Sequence, residues 1–161
     1  MLKPFGCHVT VVRRRVREMA DVDVVVGERD LDSVLPGADA VVLALALTDD
    51  TISLFTRTQF ELMEPHAWIV NVARGRHIVT DDLVWALETG QIGGAGLDVT
   101  DPEPLPEGHP LWSMHNCFIT PHVGNTADMV PALLSVRITD NVRRLARGES
   151  LDGVIDVDLG Y

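Results

Sequence analysis

Residues 68–82 read Trp-Ile-Val-Asn-Val-Ala-Arg-Gly-Arg-His-Ile-Val-Thr-Asp-Asp, an apolar run that stops abruptly at an arginine and a glycine. The run from Trp68 to Val72 predicts a strand buried on both faces, as in a parallel sheet covered by helices. Gly75 frees the backbone for a tight turn. Arg74 is therefore expected beyond a strand's carboxyl end, where open parallel sheets bind ligands. A guanidinium there suits a carboxylate or phosphate, although a lone arginine more often simply caps a turn.

Strand-like and helix-like segments alternate along the whole chain, which predicts an α/β fold with a parallel sheet. Besides the strand at 68–72, strands are predicted at 7–12, 21–26, 38–47, 92–99, 117–120 and within 153–161. A short helix or turn is predicted at 30–34, and helices are predicted at 57–63, from an N-cap at Thr80 to Gly90, and in a long segment that ends at Gly148. That last helix has an apolar stripe at helical spacing, expected to pack in the core, formed by Leu134, Ile138, Val142 and Leu145.

Composition limits the classes of function. The chain has 161 residues and a formal net charge of -11, which predicts one acidic domain and argues against nucleic-acid binding. No apolar run is long enough to span a membrane and the first residues lack a signal-peptide core, so we expect a cytoplasmic protein without membrane contact. Cys7 and Cys117 form no CxxC pair and lie in apolar, strand-like segments, which predicts buried free thiols.

An arginine cluster follows the first predicted strand. Four of the five residues from 13 to 17 are arginines. In dinucleotide-binding sheets an acidic residue at this point holds the ribose of NAD, whereas a nearby arginine accommodates the extra phosphate of NADP. Arg13 and Arg14 are therefore candidate NADP contacts, with a solvated charge cluster as the open alternative.

Three predicted strand ends carry chemically active side chains. Arg74 follows one strand, Asp98 ends the next with Glu103 five residues on, and His122 follows a third. Histidine suits proton transfer near neutral pH, and a carboxylate on its far ring nitrogen would fix its tautomer. Asp101 and Glu107 remain rivals to Glu103 as that carboxylate.

A metal site is the other interpretation of these side chains. It would combine Glu103, His109, His115 and His122, but their spacing fits no common site, and no metal is predicted.

The motifs around these residues also resemble a known family. They are Asn71-Val72-Ala73-Arg74-Gly75, then Ala95-Gly96-Leu97-Asp98-Val99 leading to Glu103-Pro104-Leu105-Pro106, then His109-Pro110-Leu111-Trp112, and Thr120-Pro121-His122-Val123-Gly124. In this order and spacing they resemble the D-isomer-specific 2-hydroxyacid dehydrogenases, which include phosphoglycerate, glycerate and D-lactate dehydrogenases.

The resemblance implies a truncated Rossmann-like parallel sheet with flanking helices and its first strand missing. Residues 1–124 would form a partial dinucleotide-binding domain, and residues 125–161 a C-terminal helix and tail that return to the substrate domain. The family's Gly-x-Gly-x-x-Gly fingerprint and its separate substrate domain are not found in this sequence.

The resemblance also implies roles for single residues. Arg74 would bind the substrate carboxylate and polarise the reacting carbonyl, His122 would be the acid/base, and Glu103 its partner. Asp98 would lie against the nicotinamide carboxamide. The implied cofactor contacts are Arg13, Arg14, Leu45, Val72, Ala73, Arg74, Asp98, His122 and Gly124. Leu45 and Ala46 stand where the family usually has Thr-Pro or Val-Pro.

Two classes of function follow from the resemblance. The first is an oxidoreductase that moves a hydride between NADP or NAD and a small 2-hydroxy or 2-keto acid, with Arg13 favouring NADP. It would act as a homodimer or with a chain that supplies the missing domain. The second is a catalytically silent fragment that serves as a binding or dimerisation module.

Overall fold

The predicted α/β architecture, with parallel strands and flanking helices, is confirmed. The computed structural model describes residues 2–125 and 129–157. A two-stranded parallel sheet pairs β1 (Thr10–Val12) with β2 (Val24–Val26). A four-stranded parallel sheet has its strands in sequence order, and these are β3 (Ala40–Leu43), β4 (Trp68–Asn71), β5 (Gly94–Leu97) and β6 (Cys117–Ile119).

Within residues 2–125 and 129–157, four α-helices and four 3-10 turns accompany the strands. The helices are α1 (Leu31–Val34), α2 (Arg57–Leu62), α3 (Thr80–Glu88) and α4 (Met129–Ala146). The 3-10 turns are Lys3–Phe5, Glu28–Asp30, Gly75–His77 and Pro110–Trp112. The strands begin and end inside their predicted ranges, because only the part of each apolar run that faces a hydrogen-bonding neighbour joins a sheet.

The core lies on one face of the four-stranded sheet, beneath α2 and α3. Its members are almost completely buried and include Leu43, Phe55, Phe60, Ile69, Leu83, Ala86, Leu87, Ala95, Leu97 and Leu111. Burial of this many apolar side chains is the main term that stabilises the sheet and fixes its carboxyl edge.

The other face of β4 is only half covered, so the prediction of a strand buried on both faces is wrong. Ile69 is fully buried, whereas Trp68 is half-buried and Val72, just past the strand, is 49% exposed. On this face the Trp68 ring stacks on Phe118 of β6, with centroids 5.8 Å apart. The ring crosses β5 at Gly94, where a Cβ would lie 2.5 Å from it. Two stacked aromatic rings, of which Phe118 is 63% exposed, therefore lie on the face on which a second helix layer was expected.

Helix α3 starts one residue earlier than an N-cap at Thr80 requires, so that prediction is wrong. Val79 occupies the N-cap position, and Thr80 is the first helical residue. The Thr80 hydroxyl donates to the main-chain oxygen of Asp101 at 2.5 Å, a bond that ties the helix to the loop after β5. The predicted stop at Gly90 is confirmed, because this glycine has a left-handed φ of 69°.

Helix α4 differs most from its prediction. It ends before Gly148 (φ 68°), as expected, but its apolar stripe is not in the core. Leu134, Ile138, Val142 and Leu145 are 51–70% exposed. The tertiary contact described for the helix is with the tail, where the Asn141 side chain exchanges two hydrogen bonds of 2.9 Å with the main chain of Asp152. The described part of the predicted last strand, residues 153–157, is irregular, and residues 158–161 lie outside the described residues.

The two cysteines have different environments. Cys7 precedes β1 and is exposed, so its predicted burial is wrong, because the paired strand begins only at Thr10. Cys117 is half-buried in β6, and desolvation raises the pKa of its thiol to about 11. Among the described residues, no helix combines the length and apolar character needed to cross a membrane.

Candidate active site

The three predicted functional strand ends meet at one edge of the sheet. Asn71 pairs with Leu97, and Leu97 pairs with Ile119, so β4, β5 and β6 end at the same level. The segments that carry Arg74, Asp98 and His122 therefore leave the sheet side by side, at the edge where parallel sheets bind ligands.

The turn that displays Arg74 is built around Asn71, which is fully buried at the end of β4. Its side-chain oxygen accepts a hydrogen bond from the Ala73 amide at 3.0 Å, and its amide nitrogen donates to the Arg74 main-chain oxygen at 2.9 Å. Gly75 follows, where a Cβ would overlap the main chain of Thr100. The Arg74 side chain is exposed, and its Nη1 donates to the Ala73 oxygen at 2.6 Å.

Asp98 organises the segment that carries the histidine. Its carboxylate accepts hydrogen bonds from Thr120 Oγ1 at 2.6 Å, from the Val123 amide at 2.9 Å and from the Gly124 amide at 2.8 Å. Desolvation opposes ionisation at this 8% exposed side chain, but the three hydrogen bonds outweigh it, so the pKa of Asp98 lies below its ordinary value. A charged Asp98 thereby fixes residues on both sides of His122.

His122 lies in a strained backbone conformation that aims its side chain. Its φ is 55°, in the left-handed region, and its amide donates to the Asp98 main-chain oxygen at 2.9 Å. The ring Nδ1 lies 2.7 Å from Glu103 Oε1, and both side chains are partly exposed. Of the three candidate carboxylates, the one that contacts the ring is Glu103, rather than Asp101 or Glu107. Within the described part of the chain, Nε2 of this ring makes no hydrogen bond.

The loop that brings Glu103 to the histidine is fastened at several points. Thr80 of α3 holds the Asp101 carbonyl, and Thr100 Oγ1 donates to the Pro102 carbonyl at 2.9 Å. Leu105 is buried in the core, and the Trp112 indole nitrogen donates to the Pro106 oxygen at 3.0 Å. These contacts fix both flanks of Glu103.

The surface beside this cluster has the chemistry that a nicotinamide needs. Leu45 and Val72 leave apolar surface at the carboxyl ends of β3 and β4, and Asp98 adds a carboxylate able to accept a further hydrogen bond. Gly124 packs directly against the Asp98 carboxylate. A Cβ at this position would lie 2.9 Å from Asp98 Oδ2, so a larger residue would push the two segments apart. Ala73 is buried under the Arg74 turn. A flat ring that bears an amide donor fits this edge.

The arginines proposed for the cofactor phosphate follow β1, which belongs to the two-stranded sheet. The Arg13 amide extends the β1–β2 pairing with a 3.1 Å bond to the Val26 oxygen. Its guanidinium lies 3.2 Å from the Met19 sulfur, and Arg14 is exposed in the loop that follows. Both side chains thus stand at a strand's carboxyl end, as the sequence predicted. Among the described residues, the hydrogen bond of the Arg13 side chain stays within its own segment, at Met19.

Three supporting residues had no predicted role. Asn71 shapes the Arg74 turn, Thr120 binds Asp98, and His77 is fully buried beside the same edge. A polar residue at the end of an otherwise apolar strand, as at Asn71, is the sequence signal that would have found the first of them.

Neither a metal cluster nor an enclosed pocket accounts for the site. Within residues 2–125 and 129–157, no group of three or more His, Cys, Asp or Glu side chains is arranged to hold a metal ion. An open depression of about 410 Å³ borders the site at Thr80, Asp101 and His109, but Arg74, Glu103 and His122 do not line it. The cluster therefore lies on open surface.

Comparisons with known proteins agree with this geometry. Residues 1–124 match the description "D-isomer specific 2-hydroxyacid dehydrogenase, NAD binding domain". A Corynebacterium melassecola protein described as "Uncharacterized protein in proB 3'region" is 43% identical over 100% of this chain and 53% of its own length. Glyoxylate/hydroxypyruvate reductase A of Photorhabdus laumondii is 36% identical over 99% of this chain and 50% of its own.

A solved structure gives the same result. The D-isomer specific 2-hydroxyacid dehydrogenase of Xanthobacter autotrophicus Py2, in complex with NADPH and MES, has a TM-score of 0.91 at 34% identity, covering 99% of this chain and 65% of that one. The Rossmann-like expectation is confirmed by this match. This chain spans about half the length of the curated relatives that it matches. The chain belongs to the D-isomer specific 2-hydroxyacid dehydrogenase family, and its residues 1–124 correspond to that family's NAD-binding domain.

Proposed function

We propose that this chain is the cofactor-binding part of an oxidoreductase that interconverts a 2-hydroxy acid and a 2-keto acid. The observation that carries the proposal is the 2.7 Å contact between His122 Nδ1 and Glu103, at an edge that also displays Arg74 and Asp98. A histidine oriented by a carboxylate, beside an arginine, is the set of groups that proton transfer on an acidic substrate requires.

The residues would divide the work as follows. When bound, the nicotinamide cofactor supplies or accepts the hydride. During reduction, His122 gives the proton on Nε2 to the keto oxygen, so that a hydroxyl forms and the ring is left neutral. Glu103 stabilises the charged ring before the transfer and holds its tautomer. Arg74 pairs with the substrate carboxylate and draws electron density from the adjacent carbonyl.

Asp98 would serve the cofactor side of the same site. Its carboxylate, already ionised, accepts a hydrogen bond from the carboxamide, while Leu45, Val72 and Gly124 supply apolar and main-chain surface around the ring. Arg13 and Arg14 would meet the adenosine phosphate, which favours NADP over NAD. The relatives whose names and titles include NADPH, glyoxylate and hydroxypyruvate support the same cofactor and substrate class.

The direct test is a titration of the purified chain with NADPH and NADH, followed by nicotinamide fluorescence. We expect saturable binding that prefers NADPH and is lost in Arg13→Asp. Equal affinity for both cofactors would contradict the role of Arg13, and no binding of either would contradict the proposed cofactor site.

Turnover is tested with NADPH and glyoxylate or hydroxypyruvate. We expect Arg74→Lys and His122→Asn to lower kcat/KM by at least about 100-fold, because each removes a group that acts in the transition state. Affinity for NADPH should be retained in Arg74→Lys. Normal turnover in either variant would contradict the residue assignment.

A silent binding or dimerisation module is the second candidate, favoured by one observation. The stripe on α4 leaves Leu134, Ile138, Val142 and Leu145 exposed, as in a helix that packs on another chain. Light scattering decides between a homodimer and a chain that needs a different partner. A dimer that binds neither cofactor would favour the silent module over the oxidoreductase.

A cytoplasmic location is part of the proposal. Cys7 and Cys117 are both free thiols, which fits a reducing compartment. Fractionation that recovers the protein from an oxidising compartment would contradict it.

A further inference from the structure

His77 is a buried histidine that the proposed chemistry does not use. It lies three residues beyond Arg74, at the end of the 3-10 turn Gly75–His77, and its side chain has no exposure to solvent. A polar ring at this depth must satisfy its nitrogens within the protein.

Both ring nitrogens face main-chain oxygens of one loop. Nδ1 lies 2.8 Å from the oxygen of Thr51, and Nε2 lies 3.3 Å from the oxygen of Leu45. A neutral imidazole carries one N–H, so we assign the hydrogen bond to the shorter contact, in which Nδ1 donates to Thr51, while Nε2 packs against the Leu45 carbonyl. These residues belong to the loop that leaves β3, whereas His77 belongs to the segment that leaves β4. The ring therefore spans the carboxyl-end loops of two neighbouring strands.

Main-chain bonds run along the same junction. The Ser53 amide donates to the Arg76 oxygen at 2.8 Å, and the Phe55 amide donates to the His77 oxygen at 2.9 Å. The imidazole extends this connection to Thr51 and Leu45, and Leu45 is part of the proposed nicotinamide surface.

Asn71 and His77 support Arg74 in different ways. Asn71 binds Ala73 and Arg74 themselves, so it shapes the turn from within. His77 reaches outward and makes the position of the turn depend on the loop after β3. Of these two fully buried polar residues, only His77 connects the Leu45 side to the Arg74 side.

We propose that His77 is a positioning residue that couples the Leu45 loop to the Arg74 turn. Displacement of one loop then displaces the other, so that cofactor contact at Leu45 helps to hold Arg74 where a substrate carboxylate binds. The identity of these two ligands rests on the proposed function, but the coupling of the two loops does not.

The experiment compares the wild-type chain with His77→Phe, His77→Gln and His77→Asn. His66→Phe is the matched control, because His66 lies before β4, is exposed and contacts Asp39. Amide hydrogen exchange measures how readily the two loops open in the absence of ligand. Titration with NADPH measures the affinity for the cofactor.

In His77→Phe we expect exchange to quicken at least about 10-fold for the amides of both Ser53 and Ala73, and NADPH affinity to fall by about the same factor. Such a change corresponds to about 1.4 kcal/mol. The asparagine amide can take the place of Nδ1, donate to the Thr51 oxygen and restore NADPH affinity, whereas the glutamine amide extends toward Leu45 and should not restore it. His66→Phe should change neither the exchange rates nor the NADPH affinity.

Faster exchange at Ser53 without a change at Ala73 would overturn the coupling. So would unchanged NADPH affinity in His77→Phe, which would leave a purely structural histidine. If the wild-type chain does not bind NADPH, the proposed function fails, and exchange at the two amides alone decides the coupling. If His77→Phe does not fold, exchange and affinity in the glutamine and asparagine variants decide it, and identical behaviour of the two would contradict the proposal.

Discussion

Helices α3 and α4 carry similar apolar stripes but have opposite surroundings. In α3, Leu83, Ala86 and Leu87 are at most 5% exposed and pack against the four-stranded sheet. In α4, Leu134 and Leu145 are 51% and 70% exposed. Helical spacing of apolar residues thus indicates that a face favours burial, but it does not say which surface buries it. For α3 that surface is formed by helix α2 together with the buried strand residues of the same core cluster, such as Ile69 and Ala95.

The largest expected effect is the loss of stability when a leucine of each apolar stripe is truncated. Leu83→Ala should lower the free energy of unfolding by about 2–5 kcal/mol, because it leaves a cavity in a packed core. Leu134→Ala, the same change on α4, should stay within about 0.5 kcal/mol. Urea unfolding of both variants measures the difference. Equal losses would mean that the α4 stripe is buried in solution.

Glycine substitutions give the next largest effect. Gly75→Ala should cost about 1–3 kcal/mol, because its Cβ would overlap the Thr100 main chain in the packed region. Gly148→Ala, at the end of α4, meets no atom within 4 Å and should cost only about 1 kcal/mol for its left-handed backbone. Thermal unfolding ranks the two variants, and the reverse order would contradict the close approach at Gly75.

The pH dependence of stability gives a third comparison, between Asp98 after β5 and a carboxylate on α4. The pKa of Asp98 is lower in the folded chain than in the unfolded one, so ionised Asp98 stabilises the fold above about pH 4. That stability is lost as the pH falls through the lowered pKa. Between pH 6 and pH 2.5, Asp98→Asn should therefore lose less stability than the wild type.

Asp140 on α4 provides the control for this measurement. Its contact with Arg143 is 3.4 Å long and exposed, and exposed pairs contribute little. Asp140→Asn should follow the wild-type pH curve. If Asp98→Asn did so too, the three hydrogen bonds to its carboxylate would not act in solution.

The smallest effect concerns the rates at which the two cysteines react. At pH 8, Cys7 should react with a disulfide reagent within minutes, because it is exposed. Cys117 should react far more slowly, since it is half-buried in β6 and its thiol pKa is raised to about 11. Cys7→Ser should abolish the fast phase, and two fast thiols would show that β6 opens readily.

The sequence predicted most of what depends on neighbours along the chain. Apolar runs located the strands, and Gly90 and Gly148 located two helix ends, because these features act within a few residues. Burial depends on distant segments and was predicted less well, as Cys7, Val72 and the α4 stripe show. The carboxyl-end positions of Arg74, Asp98 and His122 follow from parallel strands, but their supports do not. Asn71 and His77 contact main-chain atoms and Thr120 donates to the Asp98 carboxylate, and a sequence motif does not display such contacts.

The order of the strands in the four-stranded sheet determines the order in which the site forms during synthesis. Strands β3, β4, β5 and β6 are neighbours in space in the same order as in sequence. During synthesis each new strand therefore meets its partner as soon as one crossover has been completed, and loop closure stays short at every step. Arg74, Glu103 and His122 are added in that order, so it is the emergence of β6 and the segment after it that completes the proton-transfer pair.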